Sequence, residues 1–145
     1  MWISLHSIIL KGEITMSNWT HVRGKFILKV NCKKGILPIY KIIANAPIID
    51  GGEFPAVYSI HPMGQYPKRE GTSEQYYYTA KIAIIGDLSD CDLDETCSDV
   101  EAFIDYLAGI EGTSAYGKIE VKEDHHTKIE DHYSVSSHKT FNINF

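Results

Sequence analysis

Cysteine is scarce in this 145-residue chain: Cys32, Cys91 and Cys97 are the only three. They form neither a CxxC pair nor an even disulfide framework, and Cys97 lies on an apolar stripe. That pattern reads as reduced thiols in a cytoplasmic protein and excludes a metal site built on them. Also missing are a Gly-rich phosphate loop, a G-x-S-x-G elbow and a Cys-His nucleophile pair in a supporting context. No motif diagnostic of catalysis or of a bound cofactor is present, so no cofactor is expected. An RNA-recognition module would want aromatics on both central strands and a Lys/Arg-Gly-Phe/Tyr-type motif; neither occurs, which argues against sequence-specific nucleic-acid binding. There is no internal repeat and no low-complexity segment.

The apolar run from Ile3 to Leu10 lacks the basic flank and the small-residue cleavage site of a signal peptide, and no membrane partner is expected. Lys11-Gly12-Glu13 can be encoded by AAAGGAGAA, a purine-rich stretch of the kind that binds a bacterial ribosome, a few codons before Met16. The expectation is that translation starts at Met16, that residues 1–15 are an upstream extension, and that residues 16–145 form a single domain. The net charge of −5 argues against non-specific nucleic-acid binding by the molecule as a whole and leaves room for a local basic patch.

What is present is alternation. Tyr76, Tyr78, Ala80, Ile82 and Ile84 alternate with Tyr77, Thr79, Lys81, Ala83 and Ile85, the period of two that sends successive side chains to opposite faces of a sheet. Val22, Gly24, Phe26, Leu28 and Val30 alternate in the same way with Arg23, Lys25, Ile27 and Lys29. Ile119 and Val121 do so with Lys118, Glu120 and Lys122 beyond a turn at Gly112 to Gly117, and Phe141, Ile143 and Phe145 with Thr140, Asn142 and Asn144. Leu93, Cys97, Val100, Ile104 and Leu107 fall on a helical stripe, with Asp92 and Glu95 in capping-box spacing at its start and Gly109 as its stop. The run ILPIYKIIANAP reads as a short helix, with Pro38 in its first turn and Pro47 as its stop, and its isoleucines leave a strand open. From Asp50 to Glu74 the chain reads as an irregular connection in which only Ala56 to Ile60 resembles a strand.

This order predicts an α+β fold: a ferredoxin-like α/β sandwich with one mainly antiparallel sheet of four to five strands and two helices on one face. The other sheet face is left open. It carries Arg23, Lys25 and Lys29, then Tyr77, Thr79 and Lys81, then Lys118, Glu120 and Lys122. Six of these are basic and one acidic. Such a surface attracts phosphates or an acidic protein, with Tyr77 available for stacking. Arg23, Lys25, Lys29, Tyr77, Thr79 and Lys81, with Lys68 and Arg69 of the Pro/Gly-rich connection, are the candidate binding residues. Lysines on exposed strands also serve simply to keep edges apart in water.

The C-terminal histidines are the alternative. His125, His126 and His132 stand among carboxylates in a composition that could ligate a transition metal. His125-His126-Thr127 and His138-Lys139-Thr140 each read His-x-Thr, the motif with which two-histidine phosphoesterases place an acid and a base around a phosphodiester. His125, Thr127, His138 and Thr140 would then be catalytic, although the two motifs lie much closer together than in that family.

The opening MSNWTHV from Met16 to Val22, the loop HPMGQYPKREGTSEQ, and the strand leading to IIGDLSD and a helix resemble a group of short bacteriophage and prophage proteins. The resemblance carries over no catalytic residues; it implies a phage accessory protein, one that binds a host protein or a small anionic, nucleotide-like ligand, as counter-defence inhibitors do. A further reading is an assembly protein that forms a homo-oligomer through its open sheet or an edge strand.

Overall fold

The computed structural model describes residues 19–32, 38–51, 54–67, 76–89, 91–124 and 137–145. It is an α+β fold with one open, antiparallel five-stranded sheet and two helices among these residues.

The central strand is β1 (Trp19–Cys32), whose alternation buries Val22, Phe26, Leu28 and Val30 and exposes Arg23, Lys25 and Lys29. After it come α1 (Pro38–Ala44), β2 (Val57–Pro67), β3 (Tyr76–Ser89), α2 (Leu93–Ala108), β4 (Thr113–Asp124) and β5 (Ser137–Asn144). The sheet order is β2-β3-β1-β4-β5, so β1 pairs antiparallel with β3 on one side and β4 on the other along most of its length.

Helix α1 settles the open choice at ILPIYKIIANAP. Pro38 takes its first position, where a missing N–H costs nothing, and Ile39 and Ile43, four residues apart, are both buried.

Strand β2 runs further than the sequence suggests, through Pro62 to Pro67. A proline is tolerated here because β2 is an edge strand, paired only with β3 among the described residues, and a register shift falls between Pro62 and Gly64. The charged end of that connection, with Lys68 and Arg69, lies outside the described residues.

Helix α2 starts as its capping signal predicts, with the Asp92 carboxylate accepting the Glu95 N–H at 2.8 Å. The Leu93 N–H donates to the buried carboxylate of Glu123, reaching in from β4, at 2.7 Å. The buried face is Thr96, Cys97, Val100, Phe103 and Leu107, whereas Leu93 and Ile104 of the expected stripe are only half-buried. Phe103 and Ile104 both satisfy helical spacing after Val100, and the larger ring takes the centre. It packs edge-on to Phe26 with centroids 6.1 Å apart and stacks on Tyr58 at 5.3 Å. Gly109 ends the helix in the ordinary right-handed region, donating its N–H to the Asp105 carbonyl.

The expected turn over Gly112–Gly117 is shorter than its glycines suggest. Strand β4 begins at Thr113 and includes Gly117, which sits opposite Phe26 with φ of 151°. A Cβ on Gly117 would lie 2.3 Å from the Lys25 carbonyl oxygen and 2.6 Å from the Phe26 Cβ, so glycine is what lets β4 lie this close to β1 at that point.

Candidate functional site

Period-two alternation in neighbouring antiparallel strands puts directly opposed residues on the same face, so the register defines the exposed side of the sheet row by row. Arg23 lies between Ile85 and Glu120, Lys25 between Ala83 and Lys118, Ile27 between Lys81 and Tyr116, and Lys29 between Thr79 and Ser114. Tyr77, Thr79 and Lys81 of β3 therefore share one face with the three basic residues of β1, as the alternation predicted.

The face does not carry its charge evenly. At the end where β1 begins, His21 sits between two carboxylates: its Nδ1 is 2.7 Å from Asp87 Oδ1 and its Nε2 is 3.0 Å from Asp124 Oδ2. Arg23 is drawn into the same cluster. It donates to Asp87 at 2.8 Å and to the carbonyls of Val22 and Gly86 at 2.8 and 3.0 Å, leaving it turned away from Lys25 and Lys81. Hydrogen bonds from His21 and then Arg23 hold the Asp87 carboxyl below its ordinary value. A shallow concavity of about 360 Å³ opens beside this cluster, lined by His21, Arg23, Glu120, Lys122, Asp124 and His138. Both ring nitrogens of His21 are engaged, so the arrangement serves as a clasp joining β3, β1 and β4 and offers no free imidazole nitrogen for proton transfer.

Lys118 pairs with Glu120 at 3.1 Å, and Lys122 lies 3.8 Å from Asp124. Lys29 places its ammonium 3.8 Å from the centroid of Tyr77, so the ring expected to serve as a stacking surface is already covered by a cation. Lys25 and Lys81 differ from the rest: among the described residues neither makes an ion pair, and the residues opposite them are Ala83 and Lys118, and Ile27 and His61.

Of the histidine alternative, His125, His126, Thr127 and His132 lie outside the described residues. His138 and Thr140 are described; they sit on edge strand β5 with Thr140 Oγ1 and His138 Nε2 3.3 Å apart. Among the described residues no group of three or more His, Cys, Asp and Glu could hold a metal ion, and no helix is long and apolar enough to cross a membrane. None of the three cysteines is in a disulfide, and burial raises the Cys97 thiol above its ordinary value, which disfavours the reactive thiolate.

The sequence reading missed His21, Asp87 and Asp124. Parity carried the signal: Asp87 is odd-numbered like Lys81 on β3, and Asp124 even-numbered like Lys122 on β4, so extending each strand by two or three residues would have placed both carboxylates on the open face. Comparison with protein-family models, curated proteins and solved structures finds no match to this chain.

Proposed function

We propose that the protein is a phage-type binding protein without a catalytic centre, an inhibitor of a host defence protein or a sequesterer of its nucleotide signal, and that it works through the open face of its sheet. The fold we assign is a ferredoxin-like sandwich with an added fifth strand. Its support is the order β2-β3-β1-β4 with antiparallel neighbours, and a helix after the first and third strands. Contacts of Phe103 in α2 with Phe26 and Tyr58, and the Tyr106 hydroxyl donating to the Ile42 carbonyl in α1, support both helices lying on one side.

The observation that carries the functional reading is the pair of lysines, Lys25 and Lys81, that make no ion pair among the described residues. Lys25 faces Lys118 directly across the β1/β4 ladder, Lys81 stands on the other neighbour of β1, and no carboxylate opposes either one. Lys118 is paired with Glu120, so the positive charge left to attract an anion is that of Lys25 and Lys81. Affinity capture from host-cell extract, with mass spectrometry of retained proteins and small molecules, identifies the partner. Lys25→Glu combined with Lys81→Glu should then weaken its binding by roughly tenfold or more, with a larger loss at low salt because screening sets in over about 8–10 Å. Both side chains are exposed, so folding should hold. Unchanged binding with unchanged salt dependence in the double variant would reduce the face to a solvated surface.

A further inference from the structure

Beside these lysines the edge strand carries an aromatic ring that the sequence reading passed over. Tyr66 lies opposite Tyr77 and therefore on the open face. Its ring folds back along β2 over Gly64, where an added Cβ would meet the Tyr66 hydroxyl oxygen at 3.3 Å and the ring carbons behind it at 3.5 and 3.6 Å. Gly64 has φ of 127° beside the register shift, and the Tyr66 hydroxyl donates to the Met63 carbonyl at 3.0 Å. Glycine, shift and hydrogen bond together hold a ring that remains 54% exposed. An exposed aromatic already ordered in this way binds a flat partner with little further loss of rotamer freedom.

What lies next to the ring decides the partner's chemistry. Gly64 is opposite Thr79, and Lys81 is two residues further along β3, a displacement of about 7 Å. Lys25 is one strand over and another two residues along, about 8 Å from Lys81 by strand spacing and rise. The face thus presents, in line, a stacking ring, a hydroxyl and two unpaired cations. We infer that it is a nucleoside-phosphate site: the base stacks on Tyr66, Thr79 meets the base edge or the sugar, and the phosphates lie across Lys81 and Lys25. This rests on the anion-binding reading of the face and narrows it to one ligand class. The occupant is a free nucleotide rather than a nucleic-acid strand, because past Lys25 the cations Arg23, Lys118 and Lys122 are already paired with Asp87, Glu120 and Asp124, which leaves no free positive charge to carry the line of phosphates further.

Calorimetric titration of the full chain with ATP, adenosine and inorganic triphosphate tests it. ATP should bind at least about tenfold more tightly than either half alone. Tyr66→Ala should cost ATP affinity roughly tenfold, the size of one base–aromatic contact, and leave triphosphate binding unchanged. Tyr66→Phe, which keeps the ring, should recover most of that loss. Lys25→Glu with Lys81→Glu should abolish binding of both ATP and triphosphate. Thermal midpoints of the variants confirm folding. If ATP binds no better than triphosphate, or if Tyr66→Ala changes nothing while the lysine variant still loses binding, the nucleotide assignment fails and the anion-binding face stands. If neither variant alters binding, both readings fall. An oligonucleotide that binds more tightly than ATP would overturn the free-nucleotide assignment.

Discussion

Asp87 accepts from two side chains at once, His21 at 2.7 Å and the guanidinium of Arg23 at 2.8 Å, from a position that is half exposed. Both hydrogen bonds favour the ionised carboxylate, so its folded-state pKa lies below the ordinary 3.8. A depressed carboxylate stabilises the fold at pH values above its unfolded pKa, and that contribution disappears as the pH falls through the folded one. The window therefore lies below about pH 4. Thermal midpoints measured from neutral pH downward should drop in that range, and Asp87→Asn should flatten the drop while costing less than about 1 kcal/mol at neutral pH, because exposed pairs are screened by water. An acid limb as steep in Asp87→Asn as in the parent would show that the carboxylates responsible lie elsewhere.

At the scale of elements, the caps of α2 divide between what neighbours in sequence can signal and what only the fold supplies. Asp92 and Glu95 were readable because a carboxylate and an N–H three residues on meet in any helix start. Glu123 was not, since it stands thirty residues away from Leu93 and becomes its acceptor only when β4 lies beside the helix. Glu123→Ala should cost about 1–3 kcal/mol, because it strands a part-buried N–H at the positive end of the helix dipole. A denaturant midpoint within error of the parent would mean that water replaces the carboxylate without loss. The same division runs through the fold. The strands with strict alternation were legible, as was the grouping of Lys25, Lys29, Thr79 and Lys81 on one face, because period two needs no partner. The length of β2 was hidden by Pro62 and Pro67, whose cost depends on being at a sheet edge. Phe103 was hidden by the ambiguity of helical spacing, and the occupation of Arg23 by carboxylates at strand ends that the reading had left too short.

At the scale of the whole molecule, stability and exposure follow from the order β2-β3-β1-β4-β5. The amides of β1 bond to two partners, β3 and β4, and the strand supplies Val22, Phe26 and Leu28 to the core, so they should be released only when the sheet comes apart. Strands β2 and β5 have one partner each among the described residues, and β2 is interrupted near Met63. Hydrogen exchange should therefore be slowest around Phe26 and Leu28, faster in β5, and fastest in β2 near the register shift. The two edges differ in a further way. Pro62 and Pro67 blunt β2 against another strand, whereas β5 contains no proline over its eight residues, so any pairing between copies would form there. Repeating the exchange at two protein concentrations separates the cases: protection of the amides from His138 to Asn144 that grows with concentration, with light scattering to match, marks an edge-paired homo-oligomer. Protection independent of concentration would show that β5 does not pair between copies. Amides of β2 protected as strongly as those of β1 would contradict the edge position from which the argument for Tyr66 starts.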